Sequence, residues 1–303
     1  MIGPTTADIA VQPSVDPKSH LLIHPPITTS ATRFGMAQFI RLHQSIRRAA
    51  CTIPLRVSIS PSATSTTRQF HSTSPAQKSH NPRWLSDVQA RLKKCQGLDI
   101  TPQQAEKAKE LSNYVQSHWL ELLAGEEGYL TGKEWRGLDK HQVTWGHVNN
   151  VMYNKYAEAA RVNFLRSFAA HSNPEHRQEW IDLMTPRSVG LILRSITTDF
   201  KFPMDYPDQT TVLHKLISPP NYDSDHILLE AVILSERHQR PAARCFEDIV
   251  VFDYKTAKKT PLKGFMVDEL RKTYEKQEAS KKECEDKIES IIKTVEQIEM
   301  SSA

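Results

Sequence analysis

The chain has 303 residues, 39% of them hydrophobic and 24% charged, with a formal net charge of +4. That length suits one large domain or two small ones. The positive excess does not argue for a nucleic-acid binder, because it is confined to one stretch. No Asp or Glu lies between Asp16 and Asp87, while Lys18, Arg33, Arg41, Arg47, Arg48, Arg56, Arg68, Lys78 and Arg83 do. The rest is close to neutral or slightly acidic. No run approaches the roughly 18 apolar residues of a membrane-spanning helix. Cys51, Cys95, Cys245 and Cys284 form no CxxC pair, which argues against a disulfide framework or a zinc site. Only Cys245 falls in a predicted strand core.

Residues 1–80 read as a leader. They are rich in Ser, Thr, Pro, Arg and His, and 34–50 (FGMAQFIRLHQSIRRAA) predicts a short helix with Phe34, Phe39, Leu42 and Ile46 toward one side. A basic, acid-poor, amphipathic segment has the profile of a mitochondrial presequence. RQFHSTSP (68–75) resembles a fungal presequence cleavage region, with a cut expected near Phe70. The expected destination is the mitochondrion, in its matrix. The basic residues are spaced without aromatic interleaving, unlike a nucleic-acid arm.

Residues 81–133 form a helical extension. Residues 81–97 read as a polar entry. Thr101 and Pro102 then open a helix, with Gln104 placed to complete a capping box. Leu111, Tyr114, Val115, His118, Trp119 and Leu122 recur at helical spacing, so one helix is expected to run on until Gly125 and Gly128 end it.

Between 134 and 262 the pattern changes. A short extended segment leads into a helix of roughly 18 residues starting near Asn150, whose Ala157, Ala159 and Ala160 permit close approach of a backbone. Strand-like segments follow at 187–201, 209–219, 226–238 and 242–254, the last two joined by a hairpin-length connection. The expected architecture is α+β, one antiparallel sheet wrapped around a long central helix. Residues 263–303 predict a charged helical tail with a seam of Ile288, Ile291, Ile292, Val295 and Ile298, extended by Leu270 and Tyr274. Such a seam docks on its own domain or on a protein partner.

The chemistry-bearing segment is GHVNNVMYNKYAEAAR (146–161). Glycine lets a strand turn sharply into a helix, and the free amides of a first helical turn can hold an oxyanion. His147, Asn149 and Asn150 add polar groups at the same place. Glu158, two turns on, is a candidate to activate water, with Arg161 three residues beyond it to pair with it. Asn150 is also a candidate N-cap. Tyr153 and Tyr156 read as packing residues.

Gly146, His147, Val148, Asn149, Asn150, Tyr153, Tyr156, Glu158 and Arg161 resemble the opening of the central helix in 4-hydroxybenzoyl-CoA and related acyl-CoA thioesterases of the hotdog superfamily. The resemblance covers roughly 134–262. It implies a hotdog fold, hydrolysis of acyl-CoA thioesters, and side-by-side homodimers with the site at the interface. It places His147, Asn150 and Glu158 as catalytic candidates. One position departs from the pattern: where many members carry an aspartate three residues before the glycine, this chain has Val143, which can neither attack nor hold a proton. The alternative is therefore a non-catalytic hotdog scaffold in a larger mitochondrial assembly. No phosphate loop, paired metal ligands or Gly-x-Ser-x-Gly elbow occurs. No resident cofactor is expected, and coenzyme A enters only as part of the substrate. Arg187, Arg194, Lys201, Lys215, Arg240 and Arg244 are available for its phosphates.

Overall fold

The structure is a computed structural model that describes residues 80–97, 100–144 and 146–301. The expected leader except His80, its cleavage region, Cys51 and Trp145 lie outside the described residues. Among the described residues no helix is long and apolar enough to cross a membrane.

Among the described residues three α-helices precede the sheet. The first, α1 (Trp84–Cys95), corrects the reading of 81–97 as a polar entry. Its Trp84, Leu85, Val88, Leu92 and Cys95 fall three and four apart and are all buried. Helix α2 (Pro102–Ser117) opens on the expected capping box: Gln104 N–H donates to Thr101 Oγ1 (3.4 Å) and Thr101 N–H to Gln104 Oε1 (3.1 Å). The helix does not run on to Gly125. It breaks at His118, where the Ser117 hydroxyl donates back to the Asn113 carbonyl (2.8 Å), a bond that bends helices. The chain resumes as α3 (Trp119–Gly125), and Gly128, at φ +83°, turns it toward the sheet.

The sheet contains β1 (Arg136–Gln142), β2 (Val189–Phe200), β3 (Gln209–Leu216), β4 (His226–Ser235) and β5 (Arg240–Asp253). Its order is β1-β3-β4-β5-β2, every neighbouring pair antiparallel, and a two-residue β6 (Lys258–Lys259) pairs with the end of β5. The central helix α4 (Asn150–His171) lies between β1 and β2 in sequence and packs on one face of the sheet. A short α5 (Arg177–Asp182) follows it. This is the hotdog arrangement, α+β, with extra helices at both ends.

The small residues act as the sequence suggests. A Cβ placed on Gly137 of β1 would stand 2.5 Å from the Ala160 carbonyl oxygen and 2.6 Å from its Cβ, so helix and strand meet backbone to backbone. Ala157 and Ala160 are fully buried, whereas Ala159 faces solvent with Asn154, Lys155 and Glu158.

The sheet is covered on its other face too. Alternation in β3 predicts one buried face, but Val212, Leu213 and His214 are all buried. Leu213, Val232 and Leu234 join a second core with Trp84, Trp119, Leu122, Ile288 and Val295. The C-terminal helix α6 (Gly264–Met300) closes this core. Its first turns bury Met266, Val267 and Leu270 beside Phe164 and Phe168, and its later seam crosses the outer face. Midway, the Gln277 side chain accepts from Leu216 N–H (3.0 Å) and donates to Leu216 C=O (3.1 Å), finishing the end of β3. The apolar seam thus docks on this chain's own sheet. Cys245 is buried in a strand, β5, and Cys95 and Cys284 are buried in helices, α1 and α6.

Candidate functional site

After β1 the chain runs beside the turn 202–208. Val143 N–H donates to the Asp208 carbonyl (3.0 Å). Gly146 takes φ +60°, a value that favours glycine for its backbone, since an added Cβ would meet nothing within 4 Å. Tyr206 N–H donates to the Gly146 carbonyl and Val148 N–H to the Met204 carbonyl, both at 2.9 Å. These two bonds frame an antiparallel bridge between His147 and Asp205.

The two sides of this bridge differ. Val148 and Met204 point inward and are buried. Met204 N–H donates to the Tyr153 hydroxyl (3.0 Å), and burial pushes that phenol's pKa up. Val143, Tyr156, Ala157 and the partly buried Phe202 complete the packing beneath the turn. Tyr153 and Tyr156 are therefore core residues. His147 and Asp205 lie on the outward side, both exposed.

The helix cap is Asn149, not Asn150. Asn149 Oδ1 accepts from Val151 N–H (3.0 Å) and its carbonyl accepts from Met152 N–H (2.8 Å). Asn150 is the first helical residue. Its N–H has no acceptor among the described residues, and its side chain is exposed. His147 and the start of α4 therefore share one solvent-facing turn, with a free amide at the positive end of a helix of 22 residues.

Glu158 is not brought to this turn. It sits two turns along α4, about 12 Å further by the rise of a helix, and is exposed. The expected Glu158–Arg161 pair does not form. Arg161 Nη1 instead donates to Glu247 Oε1 on β5 (2.6 Å), beneath the helix. Glu158 points to solvent and Arg161 toward the sheet, because Arg161 is partly buried on the sheet side and Glu247 is buried there.

Val143, at the position of the expected aspartate, is 2% exposed. The neighbouring Asp208 does not substitute for that carboxylate. Its oxygens accept from Gln209 N–H (2.7 Å), Arg237 N–H (3.0 Å) and the Ser235 hydroxyl (2.5 Å). Asp139 is paired with Arg136 (2.9 Å) and His141 packs its ring on Tyr156.

Several basic residues expected to meet phosphates are engaged elsewhere. Arg244 bridges Glu127 (2.6 Å) and Glu230 (2.8 Å), and Lys215 pairs with Glu230 (3.3 Å), all on the face covered by the extra helices. Arg194 pairs with Asp248 and Lys201 with Asp199. Arg240 lies over the Phe202 ring, 4.6 Å from its centroid, next to the turn.

Sequence reasoning missed Asp205 and Glu247. Nothing in local spacing marks either one, since Asp205 meets His147 through a strand bridge and Glu247 meets Arg161 where the central helix packs on the sheet. The turn as built offers a hydrogen-bond donor for a developing oxyanion and an imidazole beside it.

Residues 135–270 match the family model of the thioesterase-like superfamily, rather less than half of the chain. No curated protein matches the chain. Among solved structures, it is similar to a Thermus thermophilus thioesterase complexed with coenzyme A and Zn, at 17% identity over 43% of this chain and 82% of that one, TM-score 0.33. A Staphylococcus aureus protein in complex with CoA matches at 14% identity over 49% and 82%, TM-score 0.36. The DHNA-CoA thioesterase of Staphylococcus aureus matches at 17% identity over 46% and 83%, TM-score 0.34.

Proposed function

We propose that this chain hydrolyses acyl-CoA thioesters at the turn Gly146–Asn150, as a homodimer in the mitochondrial matrix. The observation that carries the reading is the free Asn150 N–H standing beside an exposed His147, inside the segment that matches the thioesterase-like superfamily. The thioester carbonyl oxygen accepts from Asn150 N–H. His147 takes a proton from water as its oxygen attacks the carbonyl carbon. The tetrahedral intermediate collapses, the carbon–sulfur bond breaks, and the imidazolium returns the proton to the departing thiolate. The products are a carboxylic acid and coenzyme A.

The matrix location rests on the acid-free, basic stretch that precedes Asp87. The dimer rests on the twelve-residue β2, one of the two strands that end the strand order, whose outer edge has no strand partner among the described residues. A protein partner for α6 has less support, since its apolar seam is covered by this chain.

A second reading, a hotdog module without chemistry, is favoured by one observation: Val143 is buried where the resemblance expects a carboxylate. Turnover separates the two. The full chain, assayed on short, long and aromatic acyl-CoAs, is expected to release free thiol above the spontaneous rate on at least one class. Folded protein without turnover on any class would leave the module reading standing.

A further inference from the structure

We infer that Asp205 is a positioning residue for His147, supplying from the turn between β2 and β3 a carboxylate that the segment after β1 lacks at Val143; this rests on the hydrolase reading above. The backbone carries the argument. The bonds Tyr206 N–H to Gly146 C=O and Val148 N–H to Met204 C=O make His147 and Asp205 a non-hydrogen-bonded antiparallel pair. In such a pair the α-carbons approach to about 4.5 Å and the two side chains rise on the same side. The neighbours agree, since Val148 and Met204 are buried on the opposite side and His147 and Asp205 are exposed.

The ionic surroundings are simple. Arg237 Nη1 stands 3.8 Å from Asp205 Oδ1, with both side chains half exposed, so the carboxylate is steadied without being consumed. Asp208, three residues on, is consumed by its turn, whereas Asp205 is the carboxylate set opposite His147 across the bridge. A carboxylate that accepts from one ring nitrogen of a histidine holds the other nitrogen as the proton acceptor. Asp205 would do this for His147 by a rotation of two exposed side chains, with no backbone change. The result is a base held next to the free Asn150 amide, assembled from two segments 58 residues apart in numbering.

The test reads the imidazole directly. Long-range proton–nitrogen correlation spectra of the nitrogen-labelled full chain are recorded for wild type, Asp205→Asn and Asp205→Glu, with His147 assigned by its loss in His147→Gln. The expected result is one dominant neutral tautomer of His147 in wild type, a mixture in Asp205→Asn, and recovery in Asp205→Glu. Identical His147 signals in wild type and Asp205→Asn overturn the inference, whether or not the protein turns over thioesters. Kinetics add a second reading. Asp205→Asn is expected to lower kcat about tenfold or more with KM unchanged, and to add no further loss in a His147→Gln background. A wild type without turnover, with the tautomer result intact, removes the hydrolase reading and leaves the pair.

Discussion

Arg161 on the central helix and Glu247 on β5 meet at 2.6 Å in a site where the carboxylate is fully buried. His214 Nε2 stands 3.3 Å from the other carboxylate oxygen, without the alignment of a hydrogen bond, and its ring stacks on Phe164. This polar cluster ties α4 to the middle of the sheet. Removing one partner of such a buried pair costs about 3–5 kcal/mol, because the other charge is stranded. Arg161→Met is therefore expected to lower the Tm steeply, and Arg161→Met with Glu247→Leu to recover much of the loss. Thermal unfolding followed by circular dichroism checks both.

Gly137 of β1 and Ala160 of α4 meet so closely that a Cβ on Gly137 would stand 2.6 Å from that of Ala160. Gly137→Ala forces a methyl group into that contact and is expected to cost about 1–3 kcal/mol, as overpacking does. Chemical denaturation measures it. An unchanged midpoint would mean that the helix can shift freely at no cost.

Much of the fold was legible in these same residues. The alternation of β3 and the lengths of β2, β4 and β5 mark strands, and the small residues of α4 mark a close contact. The outer layer was harder to see. Leu213 lies on the face opposite Val212 and His214 in its strand's alternation, and is core as well because α3 and α6 cover that face. At the candidate site, Gly146 and His147 announce a strand-to-helix turn by local pattern. The partnership of Arg161 with Glu247 rather than Glu158 depends on a strand 86 residues away. Asp205 is likewise placed by pairing alone.

The buried cysteines give a chemical readout of the packing. Burial holds the Cys245 thiol at about 11 and the Cys284 thiol at about 12, and raises that of Cys95. Thiolate is the reactive form, so at pH 8 these three are expected to resist iodoacetamide in the folded protein and to react once it is unfolded. Peptide mass spectrometry reads each site. Rapid labelling of Cys284 in native protein would mean that α6 lifts off the sheet.

Glu299, near the end of α6, is held to Arg91 of α1 at 2.6 Å, and this bond keeps its carboxyl below the ordinary range although burial works against it. A group whose folded pKa is depressed stabilises fully above its unfolded pKa and loses that contribution as pH falls through the folded value. The Tm of wild type is thus expected to exceed that of Glu299→Gln at pH 7, with the gap closing as the pH is taken into the acid range. A gap that persists at low pH would assign the effect to packing.

The most direct test of the hydrolase account is kcat/KM of the full-length wild type against His147→Gln on the acyl-CoA that wild type hydrolyses fastest. A general base contributes about 10²–10⁴-fold. His147 is exposed, so its loss should leave the Tm in place while kcat/KM falls by at least about a hundredfold. Equal turnover by the two proteins, both folded, would contradict the assignment of the Gly146–Asn150 turn as the reacting site.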